Sequence, residues 1–204
     1  MKHIFVFRHG RTDWNAQNRM QGQSDTSLNA QGIAQAQVLG KALQPMGITL
    51  IASSDLMRAR QTAETVASYC HAPVIFTPAL REIHAGSMEG VSLNIFIQNP
   101  LLGNMYNMSP AYDNVGFPGG ERKDQVRERA VHYTRSLADS TEHTYVGISA
   151  HDLVIRVMIH ALTGAAIHLE NAQYAHLAYD PTTQRWELLS GGDYEEQPVN
   201  DEAC

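Results

Sequence analysis

Four short apolar runs, at residues 3–7, 49–52, 74–77 and 145–149, alternate with stretches of helical composition. That alternation constrains the fold more than any other feature. A short run that is apolar at every position reads as a strand buried on both faces. Strands interleaved with helices predict an α/β protein. The expected architecture is a three-layer α/β/α sandwich, with a mostly parallel central sheet, helices on both faces and a lid-like insertion. Asn29 is the expected N-cap of a helix over Ala30–Leu43. Its inward face should carry Ile33, Ala36, Gly40 and Leu43, with Ala34 and Val38 also in the core; Pro45 and Gly47 end it. A second helix runs from Leu56 to Tyr69 behind the capping types Ser53, Ser54 and Asp55. A third follows Ala150-His151-Asp152 and reaches about Leu162. Ala175–Tyr179 and Arg185–Leu189 read as a late strand pair across Asp180-Pro181.

Two stretches interrupt the rhythm. Residues 8–28 read as a loop rich in Arg, Asn, Gln and Gly. Residues 84–125 carry Pro100, Pro110 and Pro118 with many Gly, Asn and Met residues. A segment of that length without regular structure is expected to be functional, a lid or substrate wall. The organisation predicted is one domain over 1–190 and a frayed, polar, acidic tail over 191–204.

Composition narrows the partners. A net charge of −6 over 204 residues argues against broad nucleic-acid binding. It leaves room for a local anion site. Cys70 and Cys204 form neither a disulfide framework nor a zinc cluster, so a reducing cytoplasm is the expected compartment. The first residues lack a signal peptide's apolar core, and no apolar stretch is long enough to span a bilayer.

The chemistry is concentrated where the strands stop. Arg8-His9-Gly10 directly follows the first run. In open α/β sheets the carboxyl ends of the strands are where ligands bind. A guanidinium forks onto phosphate oxygens, a neutral imidazole has a lone pair able to attack phosphorus, and Gly permits close approach. Arg58 lies in the first turns of the helix after the second run. Glu82 follows the third run and His151 the fourth. Phosphomonoester hydrolysis requires about 20 kcal/mol of barrier lowering, which calls for a nucleophile, several donors and a proton source together.

These stretches, with Thr12, Trp14 and Asn15, Gln21-Gly22, Leu28-Asn29, Ser53-Ser54-Asp55-Leu56, Gln61-Thr62-Ala63, Leu80-Arg81-Glu82, Glu89-Gly90, Pro118-Gly119-Gly120-Glu121 and Ser149-Ala150-His151, occur in one order along nearly the whole chain. The ordered set resembles the histidine phosphatase superfamily, in its phosphoglycerate-mutase-like branch. The resemblance implies that His9 becomes phosphohistidine and that Arg8, Arg58 and His151 hold the phosphoryl group. Glu82 would protonate the leaving alkoxide and then activate water. Asn15, Gln21 and Gly22 would add phosphate or substrate contacts. It implies no metal and no cofactor, a small phosphorylated metabolite as substrate, and a homodimer by analogy.

Other residues take plainer readings. Arg60 and Arg81 read as solvated arginines, Glu89 as a structural carboxylate on nearby amides, and Trp14 as packing under its loop. The remaining histidines read as surface or core residues. Arg11, Arg122 and Asp152 depart from the residues common in relatives. Arg11 or Arg122 is expected to recognise a second anionic group on the substrate, and Asp152 to point away from the phosphate. The short chain and Gln21-Gly22-Gln23, where mutases of the family carry Gly-Trp, favour a phosphatase over a phosphoglycerate-mutase-type phosphotransferase. A catalytically weak phospholigand-binding relative is the third reading.

Overall fold

The alternating residues of β1 (Lys2–Arg8) divide between two cores. Ile4 and Val6 pack into one cluster, Phe5 and Phe7 into the other. That is the period of two expected of a strand covered on both faces. The computed structural model describes residues 1–97, 104–191 and 193–194. Around β1 lie β2 (Leu50–Ser54), β3 (Val74–Thr77), β4 (Tyr145–Ala150), β6 (Tyr174–Asp180) and β7 (Arg185–Ser190), in the sheet order β3-β2-β4-β1-β6-β7. β1 to β4 are mutually parallel neighbours; β6 runs antiparallel to β1, and β7 antiparallel to β6. A separate ladder joins β5 (Ile167–His168) to β8 (Asp193–Tyr194). The start of the expected frayed tail is therefore paired as a strand; residues 192 and 195–204 lie outside the described residues, as do 98–103 of the interrupting segment.

Helices cover both faces. α2 (Ala30–Leu43) and α3 (Met57–Cys70) pack on each other over the Phe5–Phe7 core. α5 (Lys123–Ser140) and α6 (Asp152–Thr163) cover the Ile4–Val6 core, giving three layers. Short helices α1 (Asp13–Ala16) and α4 (Asn94–Ile97) lie in the two irregular stretches. α1 corrects the expectation of plain loop over 8–28. Thr12 caps it by accepting from the Asn15 amide, a local bond worth enough to hold one turn.

Two further expectations need correction. α2 buries Ala36, Leu39, Gly40 and Leu43, whereas Ile33 is 47 % and Val38 67 % exposed and Ala34 also faces solvent. Leu39 rather than Ile33 completes the inner stripe. α5 went unpredicted. Apart from Lys123 in its first turn, its buried residues Val126, Ala130, Thr134 and Ala138 recur every fourth position, but only Val126 is strongly apolar, so the stripe is hidden among charged neighbours.

Candidate active site

Parallel pairing brings the functional residues to one edge. Arg8 stands opposite Ala150 across β1 and β4, and Ser53 opposite Ser149 across β2 and β4. One residue further on, the His9 amide donates to the Ala150 carbonyl (3.1 Å). His9 and His151 thus become neighbours, with ring centroids 5.2 Å apart.

His9 is 3 % exposed. Its Nδ1 lies 2.7 Å from the Gly10 carbonyl. A carbonyl can only accept, so Nδ1 carries the proton and Nε2 keeps its lone pair. Burial, followed by the charges of Arg58 and Arg8, holds the imidazole pKa well below its usual value. Gly10 is required sterically. A Cβ there would sit 2.5 Å from the Gly32 carbonyl oxygen. Its amide donates to Thr62 Oγ1 (3.0 Å), whose hydroxyl donates to the Arg58 carbonyl (2.7 Å), tying the His9 loop to α3.

Arg58 is fully buried in the first turn of α3. Its Nη2 donates to the Gly22 carbonyl (2.7 Å) and its Nη1 to that of Ser24 (2.9 Å). Burial lowers its pKa to about 10, which leaves it cationic at neutral pH. Gly22 presents that carbonyl from a left-handed turn (φ 53°), where a Cβ would meet Glu89 Oε1 at 2.5 Å. Arg8 Nη1 donates to the Leu169 carbonyl (2.8 Å). His151, fully buried at the N-cap of α6, places Nε2 2.8 Å from Ser54 Oγ. Its pKa too is pushed well down, by burial and then by Arg58 and His9.

Among the described residues, three buried nitrogens lack any hydrogen-bond partner: Arg8 Nε, Arg58 Nε and His151 Nδ1. Buried donors are nearly always satisfied. The three exceptions fall on three residues of one site, and with a proton on His151 Nδ1 all three are donors suited to an anion.

Glu82 lies beyond the short helical turn that follows β3. Oε1 accepts from the Ile83 amide (2.9 Å) and Oε2 from the Leu153 amide (3.4 Å). Burial, with Asp152 adding to it, raises its pKa despite these bonds and Arg58. A raised pKa lets a carboxyl keep its proton to higher pH, as a general acid requires.

The other candidates divide. Asn15 Oδ1 accepts from the Thr12 amide (3.1 Å), and Asn15 lines a cavity beside Arg8. Gln21 Oε1 accepts from the hydroxyls of Thr12 (2.9 Å) and Thr26 (2.6 Å), so it braces the loop. Arg11 lines the same cavity as Arg8 and Asn15. Arg122 is not brought together with them; its side chain forks onto Asp124 (both contacts 3.0 Å) at the exposed start of α5. Asp152 is turned toward Arg8 (3.5 Å), Arg156 (3.1 Å) and His168 (3.3 Å), rather than simply away from the site. Those cations and the His168 contact depress its pKa far below the carboxylate range in spite of burial. Arg81 is partly solvated, as expected, with 37 % of its side chain exposed, but it is not free. It grips Asp55 through two bonds of 2.6 and 2.7 Å. Glu89 accepts from the amides of Gln23 (2.9 Å) and Ala85 (3.2 Å), as a structural carboxylate does.

Sequence reasoning missed Arg129 on α5. Its guanidinium donates to the carbonyls of Ala79 (2.9 Å), Arg81 (2.6 Å) and Glu82 (3.1 Å) and pairs with Glu121 (2.9 Å). Glu121 in turn accepts from the His84 amide (2.9 Å), so the Glu82 loop is held on both sides. The only signal was Glu121 within Pro118-Gly119-Gly120-Glu121.

Known proteins resemble the chain in sequence and in fold. The profile of the histidine phosphatase superfamily (branch 1) matches residues 4–191. The chain is 28 % identical to a probable phosphoglycerate mutase, GpmB, of Escherichia coli O1:K1 / APEC over 95 % of this chain and 94 % of that one. It superposes on a mycobacterial glucosyl-3-phosphoglycerate phosphatase solved with VO3 with a TM-score of 0.82, at 27 % identity and covering 93 % of this chain and 98 % of that one. A structure described as mycobacterial hydrolase 1 gives the same TM-score, 0.82, at 26 % identity, covering 96 % of this chain and 100 % of that one. The chain belongs to the histidine phosphatase superfamily, branch 1.

Proposed function

We propose that the protein is a phosphomonoesterase acting on a small phosphorylated metabolite through a phosphohistidine at His9. The observation that carries this reading is the trio of unpartnered donors, Arg8 Nε, Arg58 Nε and His151 Nδ1, around an imidazole whose Nε2 lone pair is free. In this reading Ser54 donates to His151 Nε2, 2.8 Å away, which puts the His151 proton on the unpartnered Nδ1 for the phosphoryl oxygens.

In the first step His9 Nε2 forms a bond to phosphorus as the ester P–O bond breaks. The proton of the Glu82 carboxyl passes to the departing alkoxide. In the second step the Glu82 carboxylate takes a proton from water, whose oxygen bonds to phosphorus as the P–Nε2 bond breaks. Phosphate leaves, and His9 and Glu82 return to their starting states. Each charge-assisted hydrogen bond contributes about 1.5–3 kcal/mol, and positioned proton transfer about 10²–10⁴-fold in rate.

A phosphotransfer reading competes because the E. coli relative is described as a probable phosphoglycerate mutase. The two share His9 and differ in whether water or a second hydroxyl takes the phosphoryl group. Phosphate release from a panel of phosphomonoesters, with phosphoglycerate isomerisation followed in parallel, tests the proposal. Net release that is abolished by His9→Ala, with acid-labile phosphate trapped on the wild type, supports it. Isomerisation without release favours transfer, and full activity in His9→Ala refutes both.

A further inference from the structure

Arg8, part of the phosphoryl cradle, also lines a cavity of about 370 Å³ whose other residues the mechanism above does not use. Asn15, Arg11 and Arg19 line it with Arg8. The Asn171 side chain, also in its wall, donates to the His9 carbonyl (3.0 Å), so the cavity abuts the backbone of the nucleophile. The chain carries an excess of acidic residues, and most of its arginines are paired with one; among the described residues the exposed Arg135 and Arg185, away from this cavity, are not. Arg81, Arg122 and Arg129 each pair with a carboxylate. Among the described residues, Arg11 and Arg19 do not. Arg11 Nη1 meets the neutral Gln31 (3.1 Å). Arg19 donates Nε to the Gly90 carbonyl (2.6 Å) and Nη1 to Gln17 (3.4 Å), and lies over the Trp14 ring at 5.0 Å.

Arg19 is thus held in place by neutral groups, its guanidinium oriented by the Gly90 bond and the Trp14 face. The cavity's acid is Glu170, which is bound to His168 (3.0 Å). Two guanidinium groups held beside a phosphate grip, without carboxylates of their own, suit an anion.

We propose that Arg11 and Arg19 form a subsite for a second anionic group, carboxylate or phosphate, carried by the substrate whose phosphomonoester occupies the His9 cradle. This rests on the phosphomonoesterase reading and adds the substrate class: phosphomonoesters bearing two anionic groups a few bonds apart. Arg122, committed to Asp124, takes no part.

The test compares glycerol 3-phosphate with 3-phosphoglycerate, which replaces a hydroxymethyl by a carboxylate, and with glycerol 1,3-bisphosphate. In the Arg11→Gln, Arg19→Gln double variant, kcat/KM should fall about tenfold further on the two-anion esters than on glycerol 3-phosphate. Arg19→Lys, which keeps the charge and loses the fork, should fall between. Equal losses on all three esters overturn the proposal. If no ester is turned over, the phosphomonoesterase reading fails, yet the subsite is still read by calorimetry on His9→Ala protein. There, adding the two substitutions should weaken 3-phosphoglycerate about tenfold more than glycerol 3-phosphate, and an equal effect again refutes it. A free anion is separated by sulfate. Saturable sulfate binding lost in the double variant, with no difference between the esters, removes the substrate's second group from the site and overturns the assignment.

Discussion

His9 and His151 face each other at 5.2 Å between ring centroids, at the ends of adjacent parallel strands, and His9 adds to the burial and the Arg58 charge that hold the His151 pKa down. Arg58 and Arg8 act on both rings in the same sense. The cradle is cationic through its arginines and neutral in its imidazoles. In the proposed mechanism one imidazole serves as nucleophile and the other as donor, without a competing positive charge on the nucleophile.

That division predicts the pH profile. His9 must be neutral to attack, and its pKa lies well below the usual imidazole value. The acid limb of kcat/KM therefore falls below the ordinary imidazole range near 6.5. Glu82 must hold its proton in the free enzyme, and its pKa is raised. The alkaline limb should follow Glu82, above the ordinary carboxylate range near 4.3. Glu82→Gln should abolish that limb and lower the rate about 10²–10⁴-fold. Profiles on an ester with a good leaving group, which needs no acid, should lose less. An alkaline limb unchanged in Glu82→Gln would assign the acid elsewhere.

Ser54 is predicted to act through His151. Its hydroxyl lies 2.8 Å from His151 Nε2 and also accepts from the Leu56 amide (3.3 Å). Ser54→Ala releases the tautomer that keeps a proton on Nδ1. We expect kcat to fall about tenfold, in line with one weakened charge-assisted bond, with KM changed far less. His151→Ala should cost more than Ser54→Ala. The double variant should match His151→Ala alone, since Ser54 has nothing left to orient. Additive losses would show that the two act separately.

Much of this site was legible because it is written at strand ends. A continuous apolar run followed by Arg8-His9, or by Ala150-His151, states both the strand and what it delivers. Arg58 was legible for the same reason, standing one turn after β2. The supports were not. Arg129 sits in a charged helix whose buried stripe is Val126, Ala130, Thr134 and Ala138, and no local pattern separates it from Arg127 or Arg135. Its partners are main-chain carbonyls fifty residues away, which only the folded sheet assembles. Arg19 and the coupling of Asp152 to Arg8 were hidden likewise, because pairing in space leaves no spacing in the chain. The exposed Ile33 and Val38 erred in the opposite direction, since apolar character alone does not say which side of a helix is covered.

Arg129 is accordingly predicted to be a positioning residue. Removing it leaves the carbonyls of Ala79, Arg81 and Glu82 and the Glu121 carboxylate short of a donor. Both side chains of the ion pair keep about a fifth of their surface in contact with solvent. Arg129→Ala should therefore destabilise the protein by about 1–3 kcal/mol, by the cost of unsatisfied polar groups, rather than by a full buried-pair loss. It should also lower kcat and displace the alkaline limb assigned to Glu82, a shift that a merely structural loss would not produce. Arg129→Lys should restore little, because one ammonium cannot serve three carbonyls and a carboxylate in a plane. Urea melts and pH–rate profiles on the same samples check both parts.

Asp152 links the cradle to stability. Its carboxylate is held by Arg8, Arg156 and His168, and its pKa in the folded protein is depressed. A depressed acid contributes stability that is complete above its unfolded pKa, near 3.9, and is lost as pH falls through the folded value. His168 has the opposite sign. Its pKa is raised, chiefly by the bond to Asp152, so its share is complete below the unfolded imidazole pKa, near 6.5, and is lost as pH rises through the folded value. The two shares coexist only in weak acid. The stability difference between wild type and Asp152→Asn should therefore peak between about pH 4 and 6.5, and decline on both sides. At the peak it should reach about 3 kcal/mol, the cost of breaking a buried pair. Arg8 would lose its carboxylate at the same time, so kcat/KM should fall with stability across that window. Denaturant unfolding at half-unit pH steps measures the curve. A difference that keeps rising into alkaline pH would separate His168 from the network, and a flat difference would mean that Asp152 carries no charge-dependent stability at all.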